Sequence, residues 1–282
     1  MTAAPAAEPL FLPAGGGERY CLYHAAAGPC RGGFVHVHPF GDEMNRTRRM
    51  AALGARALAR AGYAVLQIDL AGCGDSSGDF ADARWDAWHD DLALARHWLE
   101  RQTGQPAGLW GLRLGALLAL DHAARAAAAG SAPARLLLWQ PVLSGPTYLT
   151  QLLRLRMAGD LVDGDGSKAA DGPQALRALL RAGTPVEIGG YLLDPALAAA
   201  LDGVDAARLA PALPVDWFEV VAGADRPVPP AAQRIAAAWQ EAGRAPRVHT
   251  VAGPAFWTTQ EITECGALLD ATVAALAEEV HA

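Results

Sequence analysis

The sequence predicts an α/β fold: a mostly parallel β-sheet flanked by helices, with a helical segment inserted. Three observations predict it. Short apolar runs rich in β-branched residues alternate with amphipathic stretches along most of the chain, and that alternation builds a parallel sheet covered on both faces. It breaks between residues 146 and 208, where helical patches follow one another without a clear strand. Finally, Gly108–Asp121 (GLWGLRLGALLALD) reads as a buried strand, a tight Gly-x-x-x-Gly turn and an apolar helix.

The elements follow in order. Gly33–His38 (GFVHVH) is a short strand, and Met44–Ala61 is a helix with Met50, Leu53, Ala57, Leu58 and Ala61 on one face. Tyr63–Leu70 (YAVLQIDL) is nearly all apolar, as in a strand buried on both sides. Trp85, Trp88, Leu92, Ala95 and Leu99 recur at helical spacing. Ala107–Gly111 and Ala134–Val142 are strands, with a helix over Leu114–Ala129 between them. Helical patches over Tyr148–Met157, Pro173–Ala182 and Pro195–Leu201 surround a Gly/Asp-rich stretch, GDLVDGDGSKAADG. The series closes with strands over Val215–Val221 and Arg247–Val251, a helix over Pro230–Ala242 between them, and a helix over Glu261–Val280. In that last helix Ile262, Cys265, Leu269, Val273, Leu276 and Val280 share a face. The expected organisation is a core over 1–145, a helical lid over 146–208, and the rest of the core over 209–282.

Composition narrows the partners. The chain has 282 residues, 52% of them hydrophobic, enough for one large core with an insertion. A net charge of −7 argues against nucleic acid, and the RTRR run at Arg46–Arg49 fits a solvated helix face. No stretch reaches the roughly 20 apolar residues of a membrane span, and the N-terminus has no secretory pattern. Cys21, Cys30, Cys73 and Cys265 are scattered, as free thiols in a cytoplasmic protein would be. No cofactor motif is present.

Three features carry a resemblance: the strand–turn–helix at Gly111–Gly115, the loop AGCGDSSGDF after Asp69, and GADRPVPP after a late strand. Together they resemble the α/β-hydrolase superfamily from about Arg31 to the end. Four further strings, HPFGDEMNRTRRM, QIDLAGCGDSSGDFADARWDAW, LLLWQP and GPAFWTTQEI, look like the second type of exosortase-A-associated hydrolase. Such proteins accompany the PEP-CTERM sorting and exopolysaccharide systems of Gram-negative bacteria. The resemblance implies a cytoplasmic hydrolase of ester or thioester bonds, and a protein partner within that system.

The usual catalytic triad does not survive a residue-by-residue test. The turn that would carry serine as Gly-x-Ser-x-Gly has Arg113, whose guanidinium stays protonated and cannot attack a carbonyl. Asp225 fills the acid slot, but Gly253–Trp257 (GPAFW), where the histidine belongs, contains none. Losing the nucleophile or the base costs about 10⁶ in turnover in a serine protease. Substitutes are poor. Ser76 and Ser77 read as loop-shaping residues, Ser144 as a turn cap, and Cys73 as a thiol that needs a cation nearby to ionise. His249 reads as core, and His24, His89, His97, His122 and His281 as packing or surface residues. His36 and His38 share a strand face and with Asp42 or Glu43 could ligate a metal; His38 as part of the oxyanion loop is the simpler reading, and no metal site is expected.

Arg113 needs a partner, because a buried unpaired cation is costly. Slot geometry nominates Asp225, then Glu43 and Asp42. The expected pocket comprises His38, Phe40, Glu43, Leu114, Trp139, Phe256 and Trp257, at the strand ends where open α/β sheets bind ligands. Two functions remain open, beside a structural subunit of an export assembly, which only the resemblance implies. One is hydrolysis by water activated by Asp225 or Glu43, with Arg113 and the Leu114 N–H stabilising an oxyanion. The other is a non-catalytic protein that binds an anionic or acyl ligand, or a partner protein, through the cleft.

Overall fold

A computed structural model describes residues 6–162 and 172–278. The parallel sheet is built from β3 (Gly33–Val37), β4 (Ala64–Ile68), β5 (Ala107–Leu112), β6 (Leu136–Trp139), β9 (Val215–Val221) and β10 (Arg247–Ala252). An antiparallel hairpin, β1 (Glu8–Ala14) and β2 (Gly17–His24), extends one edge through β4, giving the order β1-β2-β4-β3-β5-β6-β9-β10. Neither hairpin strand is read from the sequence, where Pro9, Pro13 and three consecutive glycines mask the pattern.

Helices α1 (Asp42–Arg60), α2 (Trp85–Thr103), α3 (Leu114–Ala128), α7 (Pro230–Glu241) and α8 (Gly266–Glu278) are the crossovers and the closing element. The sheet separates two apolar layers. One holds α2, α3 and the inserted segment; the other packs α1 and α8 on Trp110, Trp139 and Phe218. Trp110 and Trp139 meet edge-to-face at 4.6 Å. Gly54 of α1 lies directly over them; a Cβ there would sit 2.5 Å from the Trp110 ring. Strand β5 is fully buried, as its apolar run requires.

Between β6 and β9 lie α4 (Gly145–Val162), α5 (Pro173–Arg181), β7 (Val186–Ile188), β8 (Tyr191–Leu193) and α6 (Pro195–Asp202). The expectation of a strand-free insertion is corrected here. VEIGGYLL forms a two-stranded hairpin, whose Gly189 and Gly190 supply the positive-φ turn. The last helix also starts later than expected. Residues 253–265 form a loop, and Ile262 is 72% exposed rather than packed. Residues 163–171 of the Gly/Asp-rich stretch, with Val280 and His281, lie outside the described residues. No helix among the described residues is long and apolar enough to cross a membrane, and all four cysteines are unpaired.

Candidate functional site

Strand β5 ends at Leu112 and α3 begins at Leu114, so Arg113 alone makes the turn. It does so at φ 54°, ψ −119°, a conformation that costs a non-glycine residue about 1–3 kcal/mol and tends to persist at functional sites. Gly115 permits it: a Cβ there would fall 2.1 Å from the Val37 carbonyl. The close approach brings the start of α3 against the end of β3, and therefore beside the first turn of α1. Glu43 stands in that turn.

Glu43, not Asp225, is the partner of Arg113. Its Oε1 accepts from both Nε and Nη2 of Arg113, at 3.1 and 3.0 Å. Tyr148 of α4 donates to Oε2 at 3.3 Å. Burial, and then the neighbouring Glu43 charge, hold the Tyr148 phenol well above its usual range, so it remains a donor. Arg113 Nη1 reaches the Gln140 carbonyl at 3.4 Å. The Trp257 ring lies 5.2 Å from the guanidinium, within cation–π range. The expected Arg113–Asp225 bridge is thus replaced. Asp225 is exposed in the loop after β9 and makes no ion pair among the described residues.

Two residues that sequence reading passes over complete the cluster. Gln140 follows β6 at φ 43°. Its amide donates to Glu219 Oε2 at 2.9 Å, and its side-chain oxygen accepts from the Val220 N–H at 2.6 Å. Glu219 is 3% exposed and also accepts from Trp217 Nε1 at 2.7 Å. Burial pushes its carboxyl above the usual range; the two neutral donors and the Arg113 charge only partly counter this. A carboxylate in the middle of the mostly apolar run VDWFEVV is the signal that finds it, since buried acids demand partners.

The other expected pocket residues divide. Phe40 and Glu43 line a cavity of about 300 Å³ between the core and the inserted segment, with Phe80, Tyr148, Leu152, Ile188, Tyr191 and Leu193. A second cleft of about 620 Å³ runs past Ser144, Thr147, Asp205 and Arg234. Arg113, Tyr148 and Gln151 border both. Trp139 lies elsewhere. It is fully buried on the α1 and α8 side and donates to Thr272 Oγ1 at 3.0 Å, because its strand position turns it away from the cleft. Phe256 packs edge-to-face on Trp257 within the same layer. Leu114 is buried, only its backbone standing at the start of α3. His38 is also buried, with Nδ1 against the Pro39 carbonyl and Nε2 accepting from the Leu70 N–H at 3.1 Å. That arrangement fixes a neutral ring, facing a separate cavity beside Arg48 and Asp69.

Among the described residues no alternative nucleophile reaches the cleft in activated form. Ser76 Oγ is held by the Asp69 carbonyl and the Tyr20 N–H, and Ser77 Oγ accepts from the Glu18 N–H. Burial, with Asp69 and Asp91 nearby, pushes the Cys73 thiol up to about 12. Ser144 accepts from Thr147 at the start of α4. His249 is bonded to Asp216 on β9. His36 is held near 3, first by burial and then by His38. Among the described residues, no three His, Cys, Asp or Glu side chains gather as a metal site.

Comparison with known proteins agrees with this architecture. The sequence model of serine aminopeptidase S33 matches residues 28–253. Among curated proteins none matches the sequence. Est1E from Butyrivibrio proteoclasticus, solved with ferulic acid bound, superposes with a TM-score of 0.67 at 12% identity, over 97% of this chain and 100% of that one. A thermostable carboxyl esterase from Bacillus coagulans in complex with glycerol gives 0.65 at 15% identity, over 98% of each chain. A thioesterase domain from the curacin biosynthetic pathway gives 0.55 at 17% identity, over 99% of this chain and 100% of that one. The family model spans most of the chain, and the sheet order, the strained elbow and the inserted segment accord with it: the chain belongs to the serine aminopeptidase S33 family and has the α/β-hydrolase fold.

Proposed function

We propose that the protein binds an acyl ligand in the cleft beneath its inserted segment and does not cleave it by Ser-His-Asp chemistry. One observation carries this reading: the elbow keeps its strained backbone at φ 54° while presenting an arginine locked by Glu43. A strained turn is a cost that persists where the surroundings use it, and here it aims a cation at the floor of an apolar cavity. Hydrolysis by activated water has less support. Glu43 is engaged by Arg113 and Tyr148, and Asp225 is exposed and makes no ion pair among the described residues. The strings that resemble exosortase-A-associated hydrolases support a setting beside PEP-CTERM sorting and polysaccharide assembly. In that setting an acyl group, its carrier or a partner protein is a natural occupant.

The test is reaction of the purified protein with a fluorophosphonate probe, beside turnover of p-nitrophenyl esters and an acyl-CoA panel. Neither labelling nor turnover above buffer is expected. Labelling mapped to Ser76, Ser77 or Ser144 would sink the reading. Arg113→Ser is expected to stay inactive as well, because Gly253–Trp257, where the base belongs, holds no histidine.

A further inference from the structure

We infer that Glu43 sets the ligand's charge: by occupying the donor fork of Arg113 it turns what would be an anion site into a site for an uncharged acyl derivative. The inference rests on the cleft being a ligand site. A free arginine receives a carboxylate through two parallel N–H groups. Here Nε and Nη2 both serve Glu43 Oε1, Nη1 leans toward the Gln140 carbonyl, and Trp257 stands against the guanidinium. One positive charge is thereby matched by one negative charge at the pocket floor. Asp42, also on the pocket wall, adds a negative charge answered by Arg46 at 2.9 Å.

An incoming carboxylate would leave water, find its natural partner taken, and face the Glu43 and Asp42 oxygens. Its desolvation would go uncompensated. An ester, thioester or amide carbonyl brings no charge. It can accept from a guanidinium N–H that Glu43 leaves free, since arginine carries five. The rest of the wall is mostly apolar, from Phe40, Phe80, Leu152, Ile188 and Leu193, with Gln151 and Tyr191 adding polar edges. The volume of about 300 Å³ holds roughly ten groups of water size, which suits a medium-length acyl chain with its carbonyl head.

Calorimetric titration of the full chain with octanamide, octanoate and octylammonium tests this. Wild type is expected to bind octanamide at least about tenfold more tightly than either charged analogue, a gap of about 1.4 kcal/mol. Glu43→Gln is expected to reverse the order in favour of octanoate, and adding Arg113→Gln is expected to abolish that gain. Thermal melts establish that each variant is folded; if Glu43→Gln is not, the wild-type ranking decides alone. A wild type that prefers octanoate or octylammonium overturns the inference, as does a folded Glu43→Gln with an unchanged ratio. A wild type that binds none of the three overturns the ligand-site reading itself, and this inference with it.

Discussion

Strand β9 carries two buried carboxylates with opposite fates. Asp216 near its start is fully buried, and Glu219, three residues on, is 3% exposed. Asp216 meets cations: Arg135 at 2.7 Å and Arg247 at 2.8 Å, with His249 at 3.1 Å. Burial alone would raise its carboxyl, but bonds from His249 and Arg247 and the Arg135 charge hold it below the usual range. Glu219 is hydrogen-bonded by neutral donors, Trp217 and Gln140, and feels the Arg113 charge without an ion pair among the described residues, so burial prevails and its carboxyl lies above the usual range. The first end is a brace that joins β9 to β10 and to the segment before β6. The second stands behind the strained elbow. Equal burial therefore says little about role; the charge of the partners separates scaffold from site.

The largest effect is expected at the brace. Asp216→Ala removes the fully buried carboxylate that Arg135 and Arg247 share, and breaking a buried pair costs about 3–5 kcal/mol. Urea unfolding is expected to show that loss; a change below about 1 kcal/mol would refute the assignment of this end as the brace. The pH dependence sharpens it. A depressed native pKa contributes stability that is complete above the unfolded value, about 4, and is lost as the pH falls through the native value. Asp216→Asn is expected to flatten wild-type acid sensitivity below about pH 4.

Glu219→Gln is expected to cost less, about 1–2 kcal/mol at pH 4, because Trp217 and Gln140 donate to different oxygens and an amide replaces one of them with a donor NH2. Its pH trend runs the other way. A raised native pKa contributes stability that is full below the unfolded value, about 4.3, and is lost as the pH rises through the native value. The penalty of Glu219→Gln should therefore shrink from pH 4 to pH 7 in parallel unfolding curves. A growing penalty would place Glu219 with Asp216 as a charged brace and erase the contrast.

The same contrast explains what could be read in advance. Strands β3, β4, β5 and β9 announce themselves as apolar runs because both faces are buried. The elbow is legible because only a tight turn needs its two glycines. Partners were harder, because they depend on three-dimensional approach. Asp225 follows β9 in the usual acid slot, yet it is Gly115 against Val37 that decides which acid Arg113 reaches. Trp139 looked like a rim residue by sequence position alone, while strand alternation turned it to the α1 side. Glu219 carries its signal in the sequence as an acid inside a mostly apolar strand, but its partner Gln140 follows a different strand, and only the pairing of β6 with β9 brings the two together.

The smallest effect is expected at Asp225, and its smallness is informative. If the acid slot had kept its role, removing the side chain would disturb the elbow. Asp225 is exposed and unpaired among the described residues, whereas Arg113 is satisfied by Glu43 and Gln140. Asp225→Ala is therefore expected to change stability by no more than about 0.5 kcal/mol and octanamide affinity by less than about twofold. Glu43→Gln in the same assay supplies the large change at the site. An affinity loss of tenfold or more in Asp225→Ala would mean that the loop after β9 folds over the cleft when ligand enters. Arg113 would then exchange carboxylates during binding, and the pair it forms with Glu43 would describe only the empty cleft.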